Sequence, residues 1–295
     1  MQLKPAILKD EQFLAEVAQY TNDEGSFHLW WLGQSGYLLA WKGHKVLIDP
    51  YLSDSLTRKY AQTNKQHVRV SEQVVDPALL TDISIVTSSH NHTDHLDGET
   101  LIPVIQNNPG ITFIIPEANR AFVCDRVKIA NDYPVGLTDG QTVTVGEFTF
   151  HGILAKHNEI ERDGNGNSKY MGYVICFGRW SIYHSGDTLW FDGMLELLKP
   201  YNVDVALLPI NGNDPVRGIA GNLDTREAAE LGKAIGAGVV IPCHYDMFEF
   251  NTADPADFVA EAEKLQQGYC VLEGGGRYGP LTRIPFIPTG ERDGG

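Results

Sequence analysis

The sequence predicts an α/β fold in which two β-sheets pack together with helices on the outside. Three observations predict it: apolar strand-like segments recur along the chain, helical patterns alternate with them, and each half carries its own run of strands backed by helices. At 295 residues, with 42% hydrophobic and 21% charged residues, the chain can fill such an interior, and wholesale disorder or a fibrous fold is excluded. Residues 1–25 read as a polar, partly helical arm. Residues 26–295 read as a single domain, since no repeat, long linker or low-complexity tract divides them.

The elements follow in order. Phe27 to Leu32, Gly36 to Trp41 and Lys45 to Ile48 are closely spaced strands with short Gly-containing turns, an antiparallel meander. Residues from about Ser53 to Gln73 are polar and too long for an ordinary connection, which points to a functional flap. Ile83 to Val86 is a short buried strand. Ile111 to Ile115 is a strand and Glu117 to Val127 a helix. Thr142 to Val145, Glu147 to Ile153, Tyr170 to Phe177 and Arg179 to Tyr183 are four strands with tight turns between most of them, and Glu159 to Tyr170 forms a Gly- and Asn-rich mobile rim. Val203 to Ile210 and Gly238 to Ile241 are apolar runs of the kind found in buried strands. Between these two runs, Asp224 caps a helix to Ile235 with Glu227 completing a capping box. Asp254-Pro255 opens a last helix with Phe258, Ala262 and Leu265 inward and Gly268 as its stop.

Charge narrows the partners. Lys and Arg number 23 against 38 Asp and Glu, a net charge of −15, which offers no footprint for nucleic acid and is repelled by anionic membranes. No apolar run reaches the roughly 18 residues of a membrane span. Cys124, Cys176, Cys243 and Cys270 lie far apart and mostly in or beside apolar segments, as reduced cysteines do. The first residues lack the apolar core of a secretory signal, so a cytoplasmic protein is expected.

The densest chemistry lies in His90-Asn91-His92-Thr93-Asp94-His95, directly after a buried strand. Four ligand-type side chains within six residues diverge too much to serve one ion, but they can serve two neighbouring ions. Imidazole and carboxylate donors suit zinc, manganese or iron. Further donors stand at strand ends: His157, Asp187 in His184-Ser185-Gly186-Asp187, and His244 in Pro242-Cys243-His244. The string together with His157 and His244 holds half of the ten histidines, too concentrated for a chance surface loop. His90, His92 and His157 can hold one metal and Asp94, His95 and His244 the other, with Asp187 bridging.

This HxHxDH string, the later His157, the Gly-Asp pair and the final His244 resemble the metallo-β-lactamase fold of hydrolases. Within that fold the chain is most similar to the L-ascorbate-6-phosphate lactonase family. The likeness rests on Trp30 to Gly33, Ser89 to Asp97, Ser181 to Asp187, Asp204 to Leu207, Arg217 to Ile219, and Val239 to Pro242 with His244 and Asp246. The resemblance implies a four-layer αββα sandwich and two divalent ions, manganese or zinc, with iron also open. It also implies a cytoplasmic hydrolase that opens a sugar-phosphate lactone or cleaves a related ester. Asp49, at a strand end in Leu47-Ile48-Asp49-Pro50, matches the first motif of the fold and would orient a metal ligand.

Two ions would lower the pKa of a shared water and polarise the bond under attack, so no serine or cysteine nucleophile is required and Cys243 is expected to pack. Asp94 and Asp187 are then the catalytic carboxylates. His184 has two open readings, a buried strand-end residue or a support for a ligand. Arg217, in a loop after a strand, is the candidate clamp for an anionic group, with a surface ion pair as its alternative. Tyr245 is expected to contact substrate and Asp246 to buttress His244. Trp190 and Phe191 either line the pocket or cap the core, and His28, His44 and His67 carry no assignment. The expected partner is a small molecule, in the lactonase reading a phosphorylated one; homo-oligomerisation stays open. A phosphodiesterase of the same fold is the nearest rival. An iron-dependent oxidoreductase of the flavodiiron type is more distant, because those proteins usually carry Glu where His92 stands.

Overall fold

Three strands joined by tight turns, β1 (His28–Gly33), β2 (Gly36–Trp41) and β3 (His44–Ile48), form the antiparallel start of the first sheet in the computed structural model, which describes residues 2–214, 219 and 221–280. Thereafter the sheet continues in parallel through β4 (Ile85–Thr87), β5 (Thr112–Pro116) and β6 (Val135–Leu137). The second sheet repeats this plan. β7 (Thr142–Val145), β8 (Phe148–Leu154), β9 (Met171–Phe177) and β10 (Trp180–His184) are antiparallel, and β11 (Val205–Pro209) and β12 (Val239–Cys243) add in parallel to β10. A short β13 (Arg277–Tyr278) closes the first sheet beside β1, giving the order β13-β1-β2-β3-β4-β5-β6 against β12-β11-β10-β9-β8-β7.

Alternation along the strands decides which side chains meet. In β2, Tyr37, Leu39 and Trp41 face the second sheet, while Leu38 and Ala40 face the helices; all are buried because both faces are covered. Between the sheets Trp41 packs on Phe148 and Phe177, and Phe27 meets Phe177 edge-on. Each such ring contributes roughly 1.5–3 kcal/mol through burial.

Helices cover the outer faces. α1 (Asp10–Thr21) buries Phe13 and Val17, with Phe13 edge-on to Trp30. α2 (Ser55–Tyr60) lies in the segment expected to be a flap, with Leu56 packed beside Tyr51, Met247 and Phe248. α3 (Gly98–Asn107) and α4 (Arg120–Val127) cover the first sheet; α5 (Met194–Leu198), α6 (Thr225–Ile235) and α7 (Pro255–Leu265) cover the second. The expected Asp224–Glu227 capping box is present in α6. α7 ends on Gln266 in the left-handed region, two residues before the expected Gly268. α3 is absent from the sequence reading because Gly98 and Pro103 look like breakers. It forms because Asp97 caps the amides of Glu99 and Thr100 and because Leu101 and Val104 are buried. The stretch expected to be one helix from Glu117 is a 3-10 turn, Glu117–Asn119, followed by α4. Among the described residues, no helix is long and apolar enough to cross a membrane.

Candidate metal centre

The carboxyl ends of β4, β10 and β12 and the chain leaving β8 converge at one end of the sandwich, where an open α/β edge leaves room for a site. The turn after β4 carries His90, His92, Asp94 and His95; His157 follows β8, Asp187 follows β10 and His244 follows β12. Close approach is built into the backbone. A Cβ on Gly186, whose φ is +59°, would stand 2.6 Å from the Met171 carbonyl oxygen and 2.8 Å from Ser89 Cβ, so only glycine lets Asp187 reach the centre. Gln34, Asp49 and His244 all adopt positive φ without being glycine, the kind of strain that surrounding structure must enforce.

The seven donors fall into two groups. Ligand atoms of His90, His92, His157 and Asp187 lie within 4.8 Å of one another, and so do those of Asp94, His95 and His244. Asp187 stands between them, with Oδ1 2.9 Å from His244 Nε2 and 3.1 Å from His95 Nε2, and Oδ2 3.8 Å from His90 Nε2. All but His92 are buried. His90 Nε2, His95 Nε2, His244 Nε2 and Asp187 Oδ1 are sealed from solvent without a well-formed hydrogen bond. Such atoms are costly to bury unless something binds them. The donor chemistry and these bare atoms fit a divalent cation, and the cluster is able to bind metal.

The far sides of the rings are held. His95 donates Nδ1–H to Asp49 Oδ2 at 2.8 Å, and His90 donates Nδ1–H to Ser89 Oγ at 3.0 Å, whose own hydroxyl donates to Asp49. Thr87 Oγ1 donates to Asp49 Oδ1 at 2.9 Å and the Ser89 amide to Oδ2 at 3.1 Å, so Asp49 braces two imidazoles at once. His157 donates Nδ1–H to the Gly221 carbonyl at 3.0 Å; Gly221, at φ +83°, has no room for a Cβ beneath that ring. Gln34 Nε2 lies 3.2 Å from both Asp94 Oδ2 and His244 Nδ1.

Charge follows the same plan. Burial, reinforced by His95 and His92, holds His90 well below the usual imidazole range, and burial with His157 lowers His92. Both rings are therefore neutral, the state in which an imidazole can bind a metal ion. Burial opposes ionisation of Asp187 and Asp94, yet His244 and His95 outweigh it and keep both carboxyls low. Burial likewise works against protonated His95, but Asp187 and Asp94 raise it well above the ordinary value. The centre is thus a field of negative potential suited to a cation.

Several sequence-predicted residues sit elsewhere. Tyr245 does not face the cleft. It is 1% exposed, stacks on Trp31 at 4.4 Å and donates its hydroxyl to the Leu272 carbonyl. Asp246 does not support His244 but pairs with Lys4 Nζ at 2.7 Å on the surface. Positive φ at both His244 and Asp246 turns the chain, so successive side chains point to the site, the core and the solvent. His184 donates Nε2–H to the Ser35 carbonyl at 3.0 Å and packs edge-on to Tyr37; among the described residues it bonds to none of the seven donors. Phe191 packs in the core, and Trp190, partly buried, packs against it. Arg217 lies outside the described residues. The 159–170 rim is tied rather than loose: Arg162 forks onto Asp139 at 2.8 and 2.9 Å, and Ser168 Oγ donates to the same carboxylate at 2.6 Å.

Beside the donors is a cavity of about 270 Å³, whose wall also includes Lys59, Tyr60, Lys65, His67 and Phe250. Neither Gln34 nor Ser89 is singled out by the sequence; of this wall, Lys59, Tyr60, Lys65 and His67 fall in the segment from about Ser53 to Gln73 expected to be a functional flap, whereas Phe250 carries no expectation. Gln34 had a weak signal in the Gly33-Gln34-Ser35-Gly36 turn, and Ser89 in its place before His90.

Two packed mixed sheets with His and Asp donors at their shared end define the class, a metallo-β-lactamase fold. Residues 44–245 match the family described as "Beta-lactamase superfamily domain", and the chain belongs to that superfamily as a metal-dependent hydrolase. A "UPF0173 metal-dependent hydrolase" of Thermoplasma acidophilum is 30% identical, covering 79% of this chain and 89% of its own. A "Probable L-ascorbate-6-phosphate lactonase" of Shigella dysenteriae is 25% identical, covering 92% of this chain and 86% of its own. Among solved structures, Igni18, a metallo hydrolase from Ignicoccus hospitalis, superposes with a TM-score of 0.62 at 22% identity, over 87% of this chain and 99% of that one.

Proposed function

We propose that the protein hydrolyses a lactone of a phosphorylated sugar acid, such as L-ascorbate 6-phosphate, or a closely related ester. Two divalent ions, manganese or zinc, would serve the reaction. The observation that carries the hydrolytic reading is the convergence of His90, His95 and His244 Nε2 and Asp187 Oδ1, all buried and without a well-formed hydrogen bond. The substrate class is supported by likeness to the probable lactonase over 92% of the chain.

His90, His92 and His157 would hold one ion and Asp94, His95 and His244 the other, with Asp187 shared. Bound ions would supply an activated water at neutral pH and polarise the acyl bond. Asp49 fixes the proton of His95 on Nδ1 and, through Ser89, that of His90, so both rings present Nε2. Asp187, held ionised, can accept a hydrogen bond from the attacking water; addition of that water across the acyl bond opens the ring to a carboxylate and an alcohol, with one proton released to solvent. Lys59, whose Nζ is 3.1 Å from Thr93 Oγ1, places a cation at the mouth of an otherwise acidic chain, where an anionic substituent would dock. The reading takes the protein as cytoplasmic and its substrate as a small molecule rather than nucleic acid or membrane.

The test is turnover by protein reconstituted with manganese or zinc, on L-ascorbate 6-phosphate and on bis(p-nitrophenyl) phosphate. Chelator-sensitive ring opening is expected. Cleavage of the phosphodiester alone would assign the site to the rival chemistry.

A further inference from the structure

His67 lines the same cavity as His92, Asp94, His157 and Asp187. Its Nδ1 is 2.8 Å from the Lys65 carbonyl oxygen, which can only accept. Nδ1 therefore carries the proton, and Nε2 bears a lone pair. The ring is packed by Tyr60 at 4.7 Å, Phe248 at 5.2 Å and Phe250 at 5.4 Å, which fixes its plane, and it is 8% exposed. Among the described residues, nothing donates to Nε2. Burial lowers the basicity of this imidazole, the Lys65 carbonyl opposing, so the ring stays neutral at physiological pH.

We propose that His67 reads the substrate: its Nε2 accepts a hydrogen bond from a hydroxyl or N–H group, so the substrate is a hydroxyl- or amino-bearing ester rather than a plain acyl ester. The proposal rests on the hydrolytic reading of the same cavity. An acceptor whose tautomer is locked and whose ring is caged cannot adapt to a substrate lacking the donor. The lone pair would then be desolvated without a partner, which is how a polar site rejects a deoxy analogue.

The experiment compares wild type and His67→Phe, both zinc-loaded, on L-gulono-1,4-lactone and on γ-butyrolactone, with metal content measured for each. Phe keeps the ring in its aromatic cage and removes the acceptor. A fall of about tenfold or more in kcat/KM on the hydroxylated lactone is expected, with γ-butyrolactone and metal content unchanged. His67→Gln, which restores an acceptor, should recover part of the loss. Independently of turnover, the ¹⁵N signal of His67 Nε2 in zinc-loaded wild type should move upfield on adding L-gulonate and stay put with butyrate. Equal losses on both lactones, no loss on either, or an unmoved Nε2 signal would overturn the proposal. Absence of any lactone turnover in wild type would remove the lactonase reading alone, since the gulonate titration still decides the role of His67.

Discussion

His95 donates its Nδ1–H to Asp49 at 2.8 Å, and neither side chain exposes any surface. One carboxylate so placed determines which nitrogen of the ring stays bare. It also anchors Ser89, and through it His90, so a single buried charge sets the aim of a donor in each of the two groups. Burial alone would favour the neutral acid; His184, His95 and the Ser89 hydroxyl reverse that and keep Asp49 ionised.

Asp49→Asn should therefore weaken metal binding about 10- to 100-fold, because the amide offers a donor where Ser89 and His95 require an acceptor. Competition against a chromophoric chelator measures it. Affinity equal to wild type would show that the rings hold their orientation without Asp49.

Asp187→Ala should reduce metal content below the two ions per chain expected of reconstituted wild type, and lower kcat by at least about 100-fold, as a shared donor matters no less than its supports. Elemental analysis decides the first point. Full retention of two ions would refute a shared position for Asp187.

Cys243→Ala should keep kcat. The thiol is 1% exposed and 3.6 Å from Ser35 Oγ, and burial pushes its pKa far above the ordinary thiol range, so no thiolate is available. A stability loss of about 1 kcal/mol is expected. Inactivity with metals still bound would instead implicate a covalent route.

Asp139→Asn should loosen the rim in a pH-dependent way. Arg162 chiefly, with Ser168 assisting against burial, lowers the Asp139 pKa to about 2. The folded value lies below the unfolded one, so the contribution is full above roughly pH 4 and lost as pH falls toward 2. The pair is partly solvated, which reduces it to about 1 kcal/mol. Urea unfolding at pH 7 and at pH 3 should show the difference between variant and wild type narrowing at the lower pH; a constant difference would mean the carboxylate charge is not involved.

Chelation should lower the Tm reversibly, since ions bound only by the folded chain stabilise it by about 4 kcal/mol at a thousandfold excess over Kd. Calorimetry with and without EDTA, then with zinc restored, reads this directly.

Legibility followed sequence distance. β2 and β7 have the boundaries expected for them, and the His90–His95 string announces itself because its donors are adjacent. That these seven donors meet was readable because each stands at a strand end. β6 and β13 are too short for any periodicity to mark them, and α3 hid behind Gly98 and Pro103. Gln34 reaches Asp94 across 60 residues, and His67 enters the cavity only because Tyr60, Phe248 and Phe250 hold it there. Tyr245 and Asp246 misled because proximity to His244 in the chain says nothing of direction once two left-handed residues intervene.

The donors enter in a fixed order during synthesis: four after β4, then those after β8, β10 and β12. A nascent chain that has released only β1 to β6 offers His90, His92, Asp94 and His95 without their counterparts. The full set of donors therefore exists only once β12, the edge strand of the second sheet, has been made, and a translation product ending before His244 lacks one of the seven.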